Sequence, residues 1–256
     1  MRGFARKGQI TLFILIALLI VAVVLIYLFM LRTPSTQQQM LKDPRQFISS
    51  CTKDAVLEGI DVMLPQAGFI QPKNYILDQD QKIAYLCYTR KYYESCVLQE
   101  PLYLHHLITE LENYARPLLN TCFINLEKEY LKKGYSFEKK EMKFSLQLEP
   151  KRVKVNLENH LKITLHDEMK EYADFSSVVS SPVYDLGVIA EEIASQEARF
   201  CDFSYDGYMI LHPEYSIGKK AIGQSETASK IYNIRDRASG KELFIAIRSC
   251  AIPPGF

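Results

Sequence analysis

The chain has 256 residues, of which 48% are hydrophobic and 24% charged, a composition that is ordinary for a folded protein and excludes wholesale disorder. The formal net charge is +1, but residues 1–32 contain four basic and no acidic side chains, so residues 33–256 carry a charge of −3. A weakly acidic body is a poor match for a polyanion, and nucleic acid is therefore not expected as a partner.

An uncharged apolar segment begins at Ile10 and ends at Leu31. As a helix it would be about 33 Å long, enough to cross the roughly 30 Å hydrocarbon core of a bilayer. It is too long for the core of a secretory signal peptide, and it lacks the polar face of a helix in a globular core. The basic residues before it indicate a cytoplasmic N-terminus and an external body. We predict a basic leader, a transmembrane helix in contact with the lipid bilayer, and a stalk: 1–8, 9–31 and 32–42.

The residues at the start of this segment read Arg6-Lys7-Gly8-Gln9-Ile10-Thr11-Leu12-Phe13. This pattern resembles the class III signal peptides of archaeal type IV pilin-like proteins. Its Lys-Gly-Gln-Ile-Thr opening is also similar to that of many uncharacterised membrane-anchored surface proteins of archaea. The resemblance covers about the first 31 residues, and it implies cleavage between Gly8 and Gln9 by a prepilin-type peptidase. Many pilins have Glu at the fifth position after the cut, where this chain has Phe13, and an uncleaved signal anchor is the alternative interpretation.

The remaining residues, 43–256, are predicted to form one extracytoplasmic domain. Apolar residues at three- and four-residue spacing predict a helix over 44–64, with Asp43 as its N-cap. A second amphipathic helix is expected from about Pro101, and Pro117 should kink or break it near its C-terminal end.

Alternation of apolar and polar residues is the clearest signal in this domain and predicts antiparallel strands with one packed and one solvated face. Three strands are expected at 142–149, 152–158 and 161–166, with the residues at 158–160 as a short connection. A third helix is expected at 182–200, from Pro182 to about Phe200. Two final strands are expected at 229–235 and 242–249. The predicted fold class is α+β, with helices on one face of an antiparallel sheet. Two lobes that meet near 172–182 are a variant of this prediction.

Six cysteines in a domain predicted to lie outside the cytoplasm favour disulfides, although fifteen pairings are possible. Cys51 and Cys122 lie on the apolar stripes of two helices that can pack together. Cys87 and Cys96 close a loop that is short enough for a hairpin. The two remaining cysteines follow the third helix and the last strand: Cys201 and Cys250. Buried free thiols are the alternative, and no pair of cysteines has the short spacing of a zinc site.

Tyrosines crowd the predicted Cys87–Cys96 loop, and two basic residues lie at its tip. Aromatic and basic side chains on a rigid loop are typical of binding surfaces, so we expect contact with other surface proteins or glycans there. The alternative is that tyrosine simply favours half-buried strands. The residues of this candidate contact surface are Tyr88, Arg90, Lys91, Tyr92 and Tyr93.

No catalytic residue, metal site or cofactor is predicted. His105 and His106 are adjacent on a helix, so their side chains diverge and cannot share a metal. Glu191 and Glu192 point to different sides of the third helix, which weakens a paired-carboxylate interpretation. The chain also lacks the serine-nucleophile, phosphate-loop, zinc-protease and dinucleotide motifs.

These observations predict a single-pass membrane-anchored cell-surface protein that acts by binding or assembly. Within the same class, the alternative is a pilin-like filament subunit processed between Gly8 and Gln9. From another class, the alternative is a membrane-tethered hydrolase or redox protein whose site has no recognisable motif.

Overall fold

A computed structural model describes residues 17–25, 43–91, 93–166, 168–223 and 228–250. The chain divides into two units, Met1–Lys42 and Asp43–Phe256. Residues 17–25 are helical, and the side chain of each is exposed. Among the described residues, no helix is both long and apolar enough to cross a membrane. The predicted leader, the stalk up to residue 42 and the rest of the predicted transmembrane helix lie outside the described residues.

The folded unit, Asp43–Phe256, is α+β, which confirms the predicted fold class at that level. Its first helix, α1, begins at Pro44 and ends at Met63, and a 3₁₀ turn follows over Leu64–Gln66. Asp43 is the N-cap of α1, and its Oδ1 accepts a 3.1 Å hydrogen bond from the backbone N–H of Arg45. The remaining helices are α2 Tyr103–Lys132, α3 Val183–Phe200 and α4 Tyr205–Leu211.

Pro117 was expected to kink or break helix α2, and the helix continues through it without a break. Proline has no N–H to donate to the carbonyl of Asn113, and Pro117 is on the exposed side of the helix. The opposite side, which includes Leu111, Ala115 and Leu119, is fully buried. Burial of this stripe stabilises the helix on both sides of the proline, and the hydrogen bond that is missing faces water.

One sheet combines the first three and the last three strands of the folded unit. Five of these strands lie in the order β1-β2-β10-β9-β8. The short strand β3 also pairs with β2, and all pairs are antiparallel except that between β2 and β10. Strands β2 and β10 are buried along almost their whole length because this sheet contacts α3 and the 3₁₀ turn. The strands are β1 Tyr75–Asp78, β2 Gln81–Tyr88, β3 Val97–Leu98, β8 Tyr215–Ile222, β9 Ser229–Asp236 and β10 Glu242–Arg248.

A second sheet is built around one long central strand, β6. Strands β4 and β5 follow one another along one edge of β6, and β7 pairs with the other edge. The residues at 158–160, expected to connect two strands, belong to β6, and residues 168–180 form a strand where a junction between lobes was considered. The expectation of a connection at 158–160 was wrong, because a run of polar residues resembles a turn. The strands are β4 Ser136–Lys139, β5 Lys143–Glu149, β6 Arg152–Leu165 and β7 Glu168–Ser180.

The second sheet is interrupted at one level of β6. On the β7 side, the register shifts between Leu157 and His160, and Asp174, opposite the shift, has a positive φ of 49°. On the other edge, β4 ends at Lys139 and β5 begins at Lys143, so the chain between them passes the same level without regular pairing. A β-bulge therefore lies beside a gap between two collinear strands.

The helices contact both sheets rather than one face of a single sheet, which corrects the predicted arrangement. Helix α1 packs against α2 and β7, and α3 contacts strands of each sheet. The approach of α3 to α2 is close at Gly187, where an added Cβ would lie 2.8 Å from the side chains of Leu104 and Leu107. The absent side chain is therefore needed for this helix contact.

Candidate functional site

The six cysteines form three pairs, Cys51–Cys122, Cys87–Cys96 and Cys201–Cys250, with Cα atoms 6.5, 5.4 and 5.3 Å apart. These are the pairs that the positions of the cysteines favoured. The first links α1 to α2, the second closes the loop after β2, and the third links the end of α3 to the residue pair after β10. No group of His, Cys, Asp and Glu side chains in the described part of the chain is placed to hold a metal ion.

The Cys87–Cys96 loop presents the predicted aromatic and basic residues on its surface. Arg90, Lys91 and Tyr93 are exposed, and Tyr88 is half-buried, whereas Tyr92 lies outside the described residues. The ammonium group of Lys91 is 2.7 Å from Glu94 Oε1 and 5.7 Å from the centroid of the Tyr93 ring. The disulfide and the local ion pair both restrict the conformations of this loop, which lowers the entropy lost when a partner binds.

Aromatic and basic side chains also lie on strands β2 and β10, next to the loop. The guanidinium of Arg248 lies 5.6 Å from the Tyr88 ring centroid, and that ring makes an edge contact with Tyr85. Val97, the strand partner of Tyr88, is 68% exposed, and Leu102 before α2 is 73% exposed. The sequence does not single out Val97 and Leu102, because single exposed apolar residues have no periodic signal.

A buried ionic cluster surrounds Glu197 at the C-terminal end of α3. Its carboxylate is fully buried and accepts hydrogen bonds of 2.6 and 2.9 Å from Lys230 Nζ and one of 2.6 Å from Ser249 Oγ. The hydroxyl of Tyr232 also donates to it, and burial together with this carboxylate raises the pKa of Tyr232 far above its ordinary value. Lys230 Nζ additionally donates to the carbonyl of Cys201.

This cluster joins α3, β9 and the end of β10 beside the Cys201–Cys250 disulfide. Ser249 Oγ lies 3.2 Å from Lys230 Nζ, a separation that would suit a serine nucleophile and a lysine base. However, both groups also bind the carboxylate of Glu197, and Ser249 is 9% exposed. The geometry therefore describes a structural brace between a helix and two strands.

A second cluster connects the two sheets through Lys151, in the turn between β5 and β6. Its Nζ lies 3.0 Å from Tyr215 Oη and 3.1 Å from Asp236 Oδ1, and its backbone N–H donates to Asp185 Oδ2 at 2.9 Å. Burial lowers the pKa of Lys151, but the hydrogen bonds from its ammonium to Tyr215 and Asp236 outweigh that effect, and the pKa is raised. This cluster holds a turn of one sheet on the edge of the other.

The paired carboxylates considered on α3, Glu191 and Glu192, are both exposed, and Gln196 Nε2 donates to Glu192 Oε1. The predicted processing site, Gly8 and Gln9, lies outside the described residues. Compared with protein-family models, with curated proteins and with solved structures, the chain matches none. What the protein does is therefore inferred from its own residues and geometry.

Proposed function

We propose that the chain is a single-pass cell-surface protein, anchored by residues 9–31 with a cytoplasmic N-terminus, whose unit Asp43–Phe256 acts outside by binding or assembly. The observation that carries the proposal is that the first unit exposes an apolar helix, whereas the folded unit buries its apolar residues in a core. Residues 17–25 form a helix whose apolar side chains, such as Leu19 and Leu25 at 66% and 60%, are exposed. A helix that is apolar on all sides is stable only when lipid or protein covers it.

The cysteine pairs support the external location of the folded unit. All six cysteines are paired, and disulfides persist in oxidising compartments but are rare in the cytosol. The buried cluster around Glu197 and the partly exposed cluster around Lys151 both brace the fold. The surface proposed to meet a partner is the Cys87–Cys96 loop. Its exposed tyrosine and arginine are the residue types that dominate binding energy in protein interfaces.

Topology is tested by treating intact cells with protease. We expect digestion of the unit Asp43–Phe256 from outside, since the basic residues before the apolar segment orient it. Changing Arg2, Arg6 and Lys7 to Glu should impair or invert insertion and protect the unit. Protection of the unchanged protein, or equal digestion of both proteins, would contradict the proposed orientation.

Binding through the loop is tested by cross-linking on intact cells with two matched pairs of substitutions. Replacement of Lys91 and Tyr93 by Ala removes one exposed cation–π pair from the loop. Replacement of Lys82 and Tyr75, whose ammonium and ring centroid lie 5.0 Å apart on the β1–β2 hairpin, removes a comparable pair elsewhere. We expect the yield of cross-linked adducts to fall about tenfold in the loop variant and to stay unchanged in the control. Unchanged adducts in the loop variant would exclude this contact surface.

Assembly as a pilin-like subunit would use the same exposed apolar helix, packed against other copies in place of lipid. The resemblance of the first 31 residues to class III signal peptides supports cleavage between Gly8 and Gln9 by a prepilin-type peptidase. The intact mass of the native protein shows whether residues 1–8 are removed. A cleaved protein in sheared surface fibres would favour the filament subunit, whereas a full-length protein in the membrane fraction would favour the signal anchor.

A further inference from the structure

Asn159 occupies a position in β6 where the alternation of the strand calls for an apolar side chain. Its neighbours on the same face, Leu157 and Leu161, are 2% and 1% exposed, and Asn159 itself is 2% exposed. Its Oδ1 is buried and accepts no hydrogen bond from any residue that the structure describes. A buried amide oxygen without a partner costs about 1–3 kcal/mol, a cost that a leucine at this position would avoid.

Asn159 lies at the interruption of the second sheet, where it lines a recess of about 640 Å³. The two irregularities of the sheet, the bulge opposite Asp174 and the gap between β4 and β5, coincide at this level. Volumes of about 300–1,000 Å³ are typical of small-molecule sites, and bulges are frequent beside functional sites. The recess and the unpartnered amide oxygen of Asn159 are independent observations that point to a ligand.

The lining of the recess mixes both signs of charge with neutral polar groups. Lys140, Glu141 and Lys143 border it on the β4–β5 side, and Asp174 and Ser176 border it on the β7 side. Lys143 Nζ is already 3.9 Å from Glu158 Oε2 of the central strand. Because neither sign dominates, the recess offers no net attraction for a strongly charged ligand.

The arrangement of donors and acceptors suits a polyhydroxylated ligand. Each sugar hydroxyl can donate to a carboxylate or an amide oxygen and can accept from an ammonium or an amide N–H. The two borders of the recess lie on the strands on either side of β6, so they are about 10 Å apart. The two charges of a free amino acid are closer together than this, so such a zwitterion would not reach both borders. Phe175 also lines the recess, but its ring is largely buried and packs edge-on against Phe123, so the polar groups carry the recognition.

We propose that the recess around Asn159 is a binding site for a neutral saccharide, with the Asn159 amide as a buried hydrogen-bonding group. This site is separate from the Cys87–Cys96 loop, and the proposal does not depend on membrane anchoring. The ligand is either a free sugar or a sugar unit of a surface glycan. These two sources share the ring hydroxyls and differ at the anomeric oxygen, which is substituted in a glycan.

The test is calorimetric titration of the full chain, solubilised in a detergent without a sugar headgroup. The probes are glucose, mannose, galactose and N-acetylglucosamine, each as the free sugar and as the methyl glycoside, with glucuronate as the charged comparison. We expect at least one neutral sugar to bind more tightly than glucuronate. Preference for the methyl glycoside would indicate a glycan, and preference for the free sugar would indicate a soluble ligand. Failure of all the neutral sugars to bind would overturn the proposal.

Replacement of Asn159 by Leu separates a ligand role from a structural one. If the amide serves the ligand, Asn159→Leu should weaken sugar binding at least tenfold while the denaturation midpoint stays the same or rises. A lower midpoint with unchanged sugar affinity would show that the amide is structural and would overturn the proposal.

Two variants at the border of the recess keep the test decisive if Asn159→Leu does not fold. Asn156→Ala and Ser176→Ala should weaken sugar binding several-fold, whereas Thr164→Ala, on β6 outside the recess, should leave it unchanged. Equal affinity in all three variants and the unchanged protein would contradict the site.

Discussion

Two carboxylates, Glu197 and Asp236, are almost completely removed from water, and donor groups surround each of them. Glu197 is bound by an ammonium and two hydroxyls, and Asp236 by Lys151 and by the side chain and backbone N–H of Ser239. A buried charge that loses its partner costs far more than a surface charge does. Substitutions at these two positions should therefore have effects well beyond those of exposed carboxylates.

Glu197→Gln should strongly destabilise the folded unit, because it leaves the Lys230 ammonium, 19% exposed, without its counter-charge. We expect a loss of about 3–5 kcal/mol in the free energy of unfolding, measured by urea denaturation of the full chain at neutral pH. The control is Glu94→Gln, which breaks the exposed pair with Lys91 and should change stability by less than about 1 kcal/mol. Similar small losses in both variants would show that the Glu197 cluster does not brace the fold.

Asp236 should make stability depend on pH in the acidic range. Burial raises the pKa of its carboxyl group, but hydrogen bonds from Ser239 and Lys151 outweigh burial and hold the pKa below its ordinary value. A folded-state pKa below the unfolded one gives stability that is present above about pH 4 and is lost as the pH falls through the folded pKa.

Asp236→Asn should therefore be less stable than the unchanged protein near neutral pH, and the difference should disappear in acid. Urea denaturation at a series of pH values from about 7 to about 3 measures this convergence. Asp54→Asn, an exposed position on α1, is the control for a general effect of charge. A difference between Asp236→Asn and the unchanged protein that stays constant across the series would contradict the role of the Asp236 carboxylate.

At the scale of elements, the three disulfides differ in how many residues separate their paired cysteines. The sequence separations are 71 residues for Cys51–Cys122, 49 for Cys201–Cys250 and 9 for Cys87–Cys96. In the chain-entropy account, a disulfide that closes a longer loop removes more freedom from the unfolded chain. The helix pair α1–α2 should thus depend on its disulfide more than the loop after β2 does.

Serine replacements of the two pairs should rank in the order of loop length. Loss of Cys51–Cys122 should cost about 4 kcal/mol and loss of Cys87–Cys96 about 2–3 kcal/mol in the free energy of unfolding. Replacing both members of a pair should be little worse than replacing one. Thermal melts of the variants measure the order, and peptide mapping of the unreduced protein checks the pairing. A larger effect at Cys87, or six free thiols, would contradict this account.

At the scale of the whole molecule, the braces of the folded unit that the described residues show lie within the unit itself. The three disulfides and the clusters around Glu197 and Lys151 all fall after Asp43, where the chain divides. The helices contact both sheets, and Lys151 links the edge of one sheet to a turn of the other. The unit therefore contains its own core and its own links between layers.

The fragment 43–256, produced in an oxidising compartment, should fold without residues 1–42. We expect one cooperative unfolding transition and a monomeric, soluble protein, because its helices and strands bury their apolar faces against one another. The same fragment under reducing conditions is the control and should unfold at a lower denaturant concentration. Non-cooperative unfolding of the oxidised fragment would show that the division after Lys42 is not a domain boundary.

The success of sequence-based prediction in this chain depends on whether an element has one packed and one solvated face. Helix α1 and the alternating residues of β5 and β6 show that difference, so their periodicity is visible in the sequence. Strand β2 is buried on both faces and β7 is largely exposed, so neither has a clear period, and both were missed. At Asn159, the polar run was interpreted as a turn, although neighbouring strands hold it extended within β6.

By itself, the sequence determined the α+β class, the apolar N-terminal segment and the favoured cysteine pairs, because hydrophobic periodicity places residues on a face before any tertiary contact exists. Only the tertiary structure decided which polar groups meet. Glu197 reaches Lys230 and Ser249 across 33 and 52 residues, and the recess at Asn159 arises where two irregular strand pairings coincide. Such contacts depend on how separate elements pack in space, and no local pattern encodes that packing.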